Sequence, residues 1–287
     1  VPRLGVKTEM KLKKSLDFYN QKHYNLLTSK DLDHVDSDFG NLIKLSDIKG
    51  DLHIHTPRHS FVWLPDEEEK QIYNYIHESI KRGYKYIGIS NHTEYLKIEY
   101  GLTGKELLEE KILIDKINAD LQTNNIDFVV YHGCECNILK NGLLDIEDKY
   151  LKELDYVIAG IHSNFDLDNK SQTERIIRAL ENPLVNILAH PTGRLINKRD
   201  EYNIDFDKIL ALSTKNNKIL EINASPFRLD LDRHNIAKAI SHNITMIINT
   251  DSHNIEQLDF MKYGVAEARQ GGATKNSILN TRPVIVF

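Results

Sequence analysis

From Gly50 onward, short β-branched runs alternate with longer helical patterns, and that rhythm restricts the chain to a parallel α/β architecture. The strand candidates are Asp51–His55, Tyr86–Ser90, Asp127–Glu135, Tyr156–Ile161, Asn186–His190, Ile219–Asn223 and Ile244–Asn249. Helical patterns lie between them, notably Glu67–Arg82, Gly104–Asn124, Ser171–Glu181, Asp205–Lys215 and Arg233–His242. Seven β-then-α units imply parallel pairing with right-handed crossovers, as a barrel or as an open doubly wound sheet. An open nucleotide-binding sheet would carry a glycine-rich turn after its first strand, and here that turn reads His55-Thr56-Pro57-Arg58-His59. The unusual residues gather instead at the carboxyl ends of many strands, which favours a barrel.

Residues 1–49 differ from the rest. A lysine-rich segment around Met10 to Tyr19 has Leu12, Leu16 and Tyr19 at helical spacing, and a polar stretch follows from Thr28 to Gly40. A short helix and linker are therefore expected as an appendage to a domain spanning 50–287. The chain begins at Val1 instead of methionine, so a processed or excised piece of a longer protein is expected. A net charge of −5 argues against bulk attraction to nucleic acid or anionic membrane, so any such binding must be local. No apolar run approaches the ~20 residues of a membrane span, and the first thirty residues lack the apolar core of a signal peptide. Cys134 and Cys136, flanking one residue of a strand, are expected as buried reduced thiols. These features together predict a soluble, cytoplasmic protein.

The thirteen histidines are not scattered evenly. Strand one ends Asp51-Leu52-His53-Ile54-His55, where period-two alternation sets both imidazoles on one face. Later strand ends read Ser90-Asn91-His92, Gly133-Cys134-Glu135-Cys136, Gly160-Ile161-His162-Ser163, Leu188-Ala189-His190-Pro191 and Asn249-Thr250-Asp251-Ser252-His253. Six imidazoles and two carboxylates are too many for one tetrahedral ion, and they are the ligands that zinc, iron and manganese prefer. A cluster of two or three metals is the simplest use of them, with Glu135 as the bridge. His23, His34, His77, His132, His234 and His242 fall on surface or packing positions.

Paired cations about 3.5–4 Å apart activate a water to hydroxide at neutral pH and clamp the attacking and leaving oxygens of a displacement at phosphorus. Phosphate-ester hydrolysis suits that arrangement. Arg194 and Arg228 follow the same strand ends and are candidate bidentate phosphate donors, with Lys198, Arg199 and Arg233 nearby as a basic rim. Salt bridges to Asp230 or Asp232 are the alternative use of the two arginines. Glu221 and Asn223 are candidates to orient the ligating imidazoles, or to pack the barrel interior.

These ordered motifs resemble those of the polymerase and histidinol phosphatase (PHP) family of metal-dependent phosphoesterases, from about residue 48 to the C-terminus. Gly101-Leu102-Thr103, Thr173-Glu174-Arg175, Leu220-Glu221-Ile222-Asn223, Tyr263-Gly264-Val265-Ala266 and Leu279-Asn280-Thr281-Arg282-Pro283 look closest to the C-terminal PHP domain of family X DNA polymerases. The resemblance implies a distorted (β/α)7 barrel, a trinuclear centre of manganese or zinc, and 3′-to-5′ exonuclease-like activity on single-stranded DNA ends. By the same resemblance His53, His55, Glu135 and Asp251 hold one ion, Glu135, His162 and His190 a second, and His92 and His253 help hold the third. The family usually has an aspartate or histidine slightly beyond the first motif, where this chain runs His59-Ser60-Phe61, so either His59 substitutes through a shifted loop or the third site is weak. The chain has no room for a polymerase core. A phosphomonoesterase of the histidinol-phosphatase type, an amidohydrolase, and a non-catalytic metal-stabilised module are the competing expectations.

Overall fold

In a computed structural model, which describes residues 27, 29–38, 40–56 and 64–287, seven parallel strands stand in sequence order around a nearly closed barrel. The strands are β1 (Gly50–Ile54), β2 (Tyr86–Ile89), β3 (Val129–Asn137), β4 (Tyr156–Gly160), β5 (Ile187–Leu188), β6 (Ile219–Asn223) and β7 (Met246–Asn249). Closure between β7 and β1 is partial: His55 N donates to the Ser252 carbonyl at 2.7 Å, and Leu52 N to the Asn249 side chain at 3.0 Å. The expected α/β barrel is therefore present, and its distortion lies at this seam.

Helices α1 (Ser29–Asp33), α2 (Pro65–Lys81), α3 (Gly104–Thr123), α4 (Asp148–Leu151), α5 (Asn169–Glu181), α6 (Phe206–Lys215), α7 (Arg233–Ser241) and α8 (Met261–Gln270) surround the sheet. Local chemistry starts them: proline and three acids open α2, while Thr103 and Glu106 form a capping box on α3. Asp168 and Asp232 cap α5 and α7 through the amides of Ser171 and Asn235. The seven strand candidates and five helical patterns correspond to these elements with ends shifted by a few residues. Helix α8 has no counterpart in the sequence reading; it is buried nearly all round and carries Gly264, a poor helix former, in its middle. A Cβ at Gly264 would press on Ile248 and Ala224, and its absence lets α8 lie against the barrel.

The barrel interior is filled from the bottom by Tyr86, Leu279 and Ile285 and at mid-height by Leu52, Tyr156, Ile158, Ile187 and Ile247. The C-terminal segment plugs the lower end, where Asn280 Nδ2 donates to the carbonyls of Gly50 at 2.8 Å and Ile248 at 2.6 Å. Tyr156 spans the interior and its hydroxyl donates to the Leu52 carbonyl at 2.6 Å. Space for its ring comes from Gly88 and Gly133, where any Cβ would overlap it. Gly133→Ala is expected to destabilise the fold by about 3 kcal/mol through overpacking, read from the midpoint of urea unfolding.

Met10 to Tyr19 lies outside the described residues. The part of 1–49 that is described includes buried Ile43 and Ile48, and Arg269 of α8 donates to the carbonyls of Ile43 at 2.5 Å and Ser37 at 3.1 Å. No helix of the described residues is long and apolar enough to cross a membrane.

Candidate metal centre

A bulge in β1 sets up the site. Asp51 pairs with Ile87 and Ile54 with Ile89, so β1 spends three steps where β2 spends two. The extra residue lets Leu52 fill the barrel while His53 and His55 also face inward above it. β3 brings Glu135 to the same level, the turns after β4 and β5 bring His162 and His190, and the chain beyond β7 brings Asp251 and His253. His190 and Asp251 adopt φ of 30° and 55°, left-handed conformations that non-glycine residues hold only under constraint.

Glu135 is fully buried and five imidazoles meet it. Oε1 lies 3.1 Å from His162 Nε2 and 2.9 Å from His190 Nε2. Oε2 lies 2.9 Å from His92 Nδ1, 3.3 Å from His53 Nε2 and 3.6 Å from His55 Nε2. Asp251 Oδ1 approaches His55 Nε2 at 3.3 Å and His53 Nε2 at 3.6 Å. Three sets of ligand atoms, each within 4.8 Å of one another, result: His53, His55, Glu135 and Asp251; His92, Glu135 and His162; and His55, His92 and His253.

The residues fit divalent cations. His53 Nε2, His55 Nε2, His92 Nδ1 and Glu135 Oε2 are buried and have no hydrogen-bond partner. An unpaired buried polar atom is costly, and native proteins rarely keep four in one place without a ligand between them. The imidazoles are also held from behind. His53 Nδ1 is 2.6 Å from Glu221 Oε1, and Glu221 in turn accepts from Asn249 at 3.1 Å, from Asn223 at 3.2 Å and from His190 N at 2.8 Å. Asn223 also donates to Asp251 Oδ2 at 3.0 Å. Glu221 and Asn223 thus orient the His53 imidazole and the Asp251 carboxylate that face this centre.

Sequence reading missed a third such residue. Asn137 Oδ1 lies 2.7 Å from His162 Nδ1, which leaves Nε2 aimed at Glu135. Asn137 is itself fixed by Asp145, which accepts from its amide at 2.7 Å and its backbone N at 2.9 Å. The signal was available: Asn137 follows Glu135 by two residues and so shares its face. Asn137→Ala is expected to weaken divalent-ion binding about 10- to 100-fold, measured by calorimetric titration with manganese.

Charge coupling divides the imidazoles. Burial would lower His53, but the carboxylates of Glu221, Glu135 and Asp251 hold it well above its ordinary value. Burial, reinforced by His92 and His253, holds His55 well below. His92 and His190 are lowered mainly by burial, with Arg228 adding to the effect at His190. Burial opposes ionisation of Glu135, yet His162, His53 and His92 keep it well below the carboxylate range, and His53 does the same for Asp251.

Arg228 reaches the centre, with Nε 3.6 Å from Asp251 Oδ2 and a buried, unpartnered Nη1. Arg194 turns elsewhere: its guanidinium donates to the carbonyls of Arg228 and Leu229 and lies 3.5 Å from Asp232, so it braces the loop after β6. Arg233 pairs with Glu267 at 3.0 Å and does not belong to a rim at the centre. His59 lies outside the described residues. The thiols of Cys134 and Cys136 are free and buried on the opposite face of β3 from Glu135, with their sulfurs 3.3 Å apart.

His132, assigned to structure, is 2 % exposed, and its Nε2 is 2.8 Å from Glu110 Oε2. Burial pulls it down to about 4. The unfolded chain, with a pKa near 6.5, therefore takes up this proton first as pH falls. Stability from neutral His132 is present above about pH 6.5 and is lost, up to about 3 kcal/mol, as pH falls toward 4. His132→Gln is expected to flatten that part of the melting temperature–pH curve.

No protein-family model matches the chain. Over 246 residues it is 43% identical to the DNA polymerase/3′-5′ exonuclease PolX of Bacillus subtilis (strain 168), covering 86% of this chain and 41% of that protein. A probable phosphatase of Thermoanaerobacter sp. (strain X514) is 29% identical over 162 residues, 53% of this chain and 64% of the relative. A solved Xaa-Pro dipeptidase aligns at 10% identity with a TM-score of 0.44, covering 82% of this chain and 76% of that one. The chain spans about two-fifths of the length of PolX. It is thus a relative of PolX over most of its own length and of the probable phosphatases over half of it, in agreement with the PHP resemblance carried by its ordered motifs.

Proposed function

We propose that the chain is a metal-dependent phosphoesterase acting on the 3′ ends of single-stranded DNA, with two or three manganese or zinc ions held by His53, His55, His92, Glu135, His162, His190, Asp251 and His253. The observation that carries this reading is the buried Glu135 carboxylate, met on its two oxygens by two groups of imidazoles, with His53 Nε2, His55 Nε2 and His92 Nδ1 left without a hydrogen-bond partner. Divalent cations bound there would supply Lewis-acid stabilisation of phosphate charge and an activated water. The protein's own part is to hold the ligand tautomers through Glu221 and Asn137, and to present the free donor of Arg228 to a phosphate oxygen. The ester is placed where an anion is attracted despite the chain's net charge of −5. The identity with PolX supports a DNA substrate and action within a longer polymerase-like chain, and the unbridged thiols support a cytoplasmic setting.

Release of nucleotide from a 3′-labelled single strand in manganese tests the reading. Turnover of a small phosphomonoester without nucleotide release would move the assignment to the histidinol-phosphatase type. Hydrolysis of a cyclic amide with no phosphoesterase activity would move it to an amidohydrolase.

A further inference from the structure

The loops that leave β4, β5 and β6 flank the His162 and His190 side of the centre. The first carries Phe165, three residues beyond His162; the second carries Arg199 and Tyr202; the third carries Arg228. Phe165 and Tyr202 lie nearly parallel, 7° apart with centroids 6.0 Å from each other. The Arg199 guanidinium carbon sits 3.8 Å from the Phe165 centroid and 5.7 Å from that of Tyr202. Arg199 Nε donates to the Gly193 carbonyl at 2.8 Å, and the Tyr202 hydroxyl donates to the Ile161 carbonyl at 3.1 Å. Both anchors belong to the short segments that carry the ligands His190 and His162. The stack is therefore fixed relative to the centre.

Arg199 differs from the arginines around it. Arg194 is engaged by backbone carbonyls and Asp232, and Arg233 by Glu267. Among the described residues no carboxylate pairs with Arg199, whose fork is left with spare donors. Arg228 is near enough to depress the Arg199 guanidinium, after burial as the larger cause. Arg228 beside Asp251 and Arg199 on the neighbouring loop are thus two cations with donors to spare, an arrangement that draws an anion. Attraction alone needs only a point charge, which lysine supplies. A guanidinium held over a phenyl ring offers something further, a planar group of the kind on which nucleobases stack.

We propose that Arg199, backed by Phe165, is the seat of the base of the terminal nucleotide, with the ester phosphate between Arg228 and the metal centre. This rests on the phosphoesterase reading above and narrows its substrate class to nucleotide esters over esters without a base. Arg199 is then a specificity residue for the base.

The test uses the full chain in manganese with three substrates: an oligonucleotide with an ordinary 3′-terminal nucleotide, the same strand ending in an abasic residue, and glycerol phosphate. The wild type is expected to favour the base-bearing end over the abasic end in kcat/KM, by about 5- to 150-fold for one stacked base. Arg199→Lys keeps the charge and discards the plane, and is expected to bring that preference close to one through KM and not kcat. Arg199→Ala should do the same, and Arg199→Lys is the deciding variant if the alanine change loosens the loop. An undiminished preference in Arg199→Lys overturns the proposal and leaves Arg199 as a clamp between two loops. A wild type that cleaves both DNA ends equally overturns it too. Failure of the wild type to hydrolyse any of the three esters defeats the phosphoesterase reading itself and this inference with it.

Discussion

Glu135→Gln is expected to lower kcat for phosphoester hydrolysis by on the order of 10³-fold, with loss of bound metal, because one carboxylate serves both halves of the centre. Oε1 is 2.9 Å from His190 and Oε2 is 2.9 Å from His92, so neither oxygen can be replaced by an amide nitrogen without turning a donor toward a cation site. The substitution is nearly isosteric, and Glu135 is surrounded on all sides, so the fold should survive. Metal content and rate are the two readouts. Full metal content at a rate near that of the wild type would show that Glu135 is not the bridge.

Removal of divalent ions by a chelator is expected to lower the melting temperature by roughly 15 °C. An ion present at a thousand times its dissociation constant stabilises the folded chain by about 4 kcal/mol, and in a chain of this size each kcal/mol corresponds to about 2 °C or more. Two ions account for the figure. The direction follows from the site itself: His53 Nε2, His55 Nε2 and His92 Nδ1 are buried without partners and gain them only when a cation is bound. Re-addition of manganese should restore the transition, and an unchanged melting temperature after verified metal removal would mean that the cluster is stable without ions.

Both predictions rest on residues that could be found before any coordinates, and the reason is geometric. In a parallel barrel the chemistry sits where strands end, so a run such as His53-Ile54-His55 or Leu188-Ala189-His190 states both residue type and location. Period-two alternation then separated Glu135 from Cys134 and Cys136 correctly. It also set His53 and His55 on one face correctly, but it does not show the β1 bulge that lets Leu52 face inward beneath them. Side-chain direction beyond a strand end was also beyond it. Arg194 and Arg228 look equivalent in sequence, yet the carbonyls of residues 228 and 229 capture one guanidinium and leave the other beside Asp251. Helix α8 went unseen because it is nearly surrounded by protein and carries a glycine in its middle, and the C-terminal plug because it has no regular element beyond one short 3-10 turn to set a period. Asn137 could have been found, since it shares the face of Glu135, but an asparagine in a strand carries no sign of the histidine it will hold.

Anomalous scattering from crystals grown with manganese, recorded near the manganese edge, tests the central claim most directly. Peaks are expected on both sides of Glu135, one among His53, His55 and Asp251 and another toward His162 and His190, with any third peak near His92 and His253 also deciding whether His59 takes part. Hydrolysis of phosphoesters by the same protein, with no anomalous peak in contact with Glu135, would contradict the account.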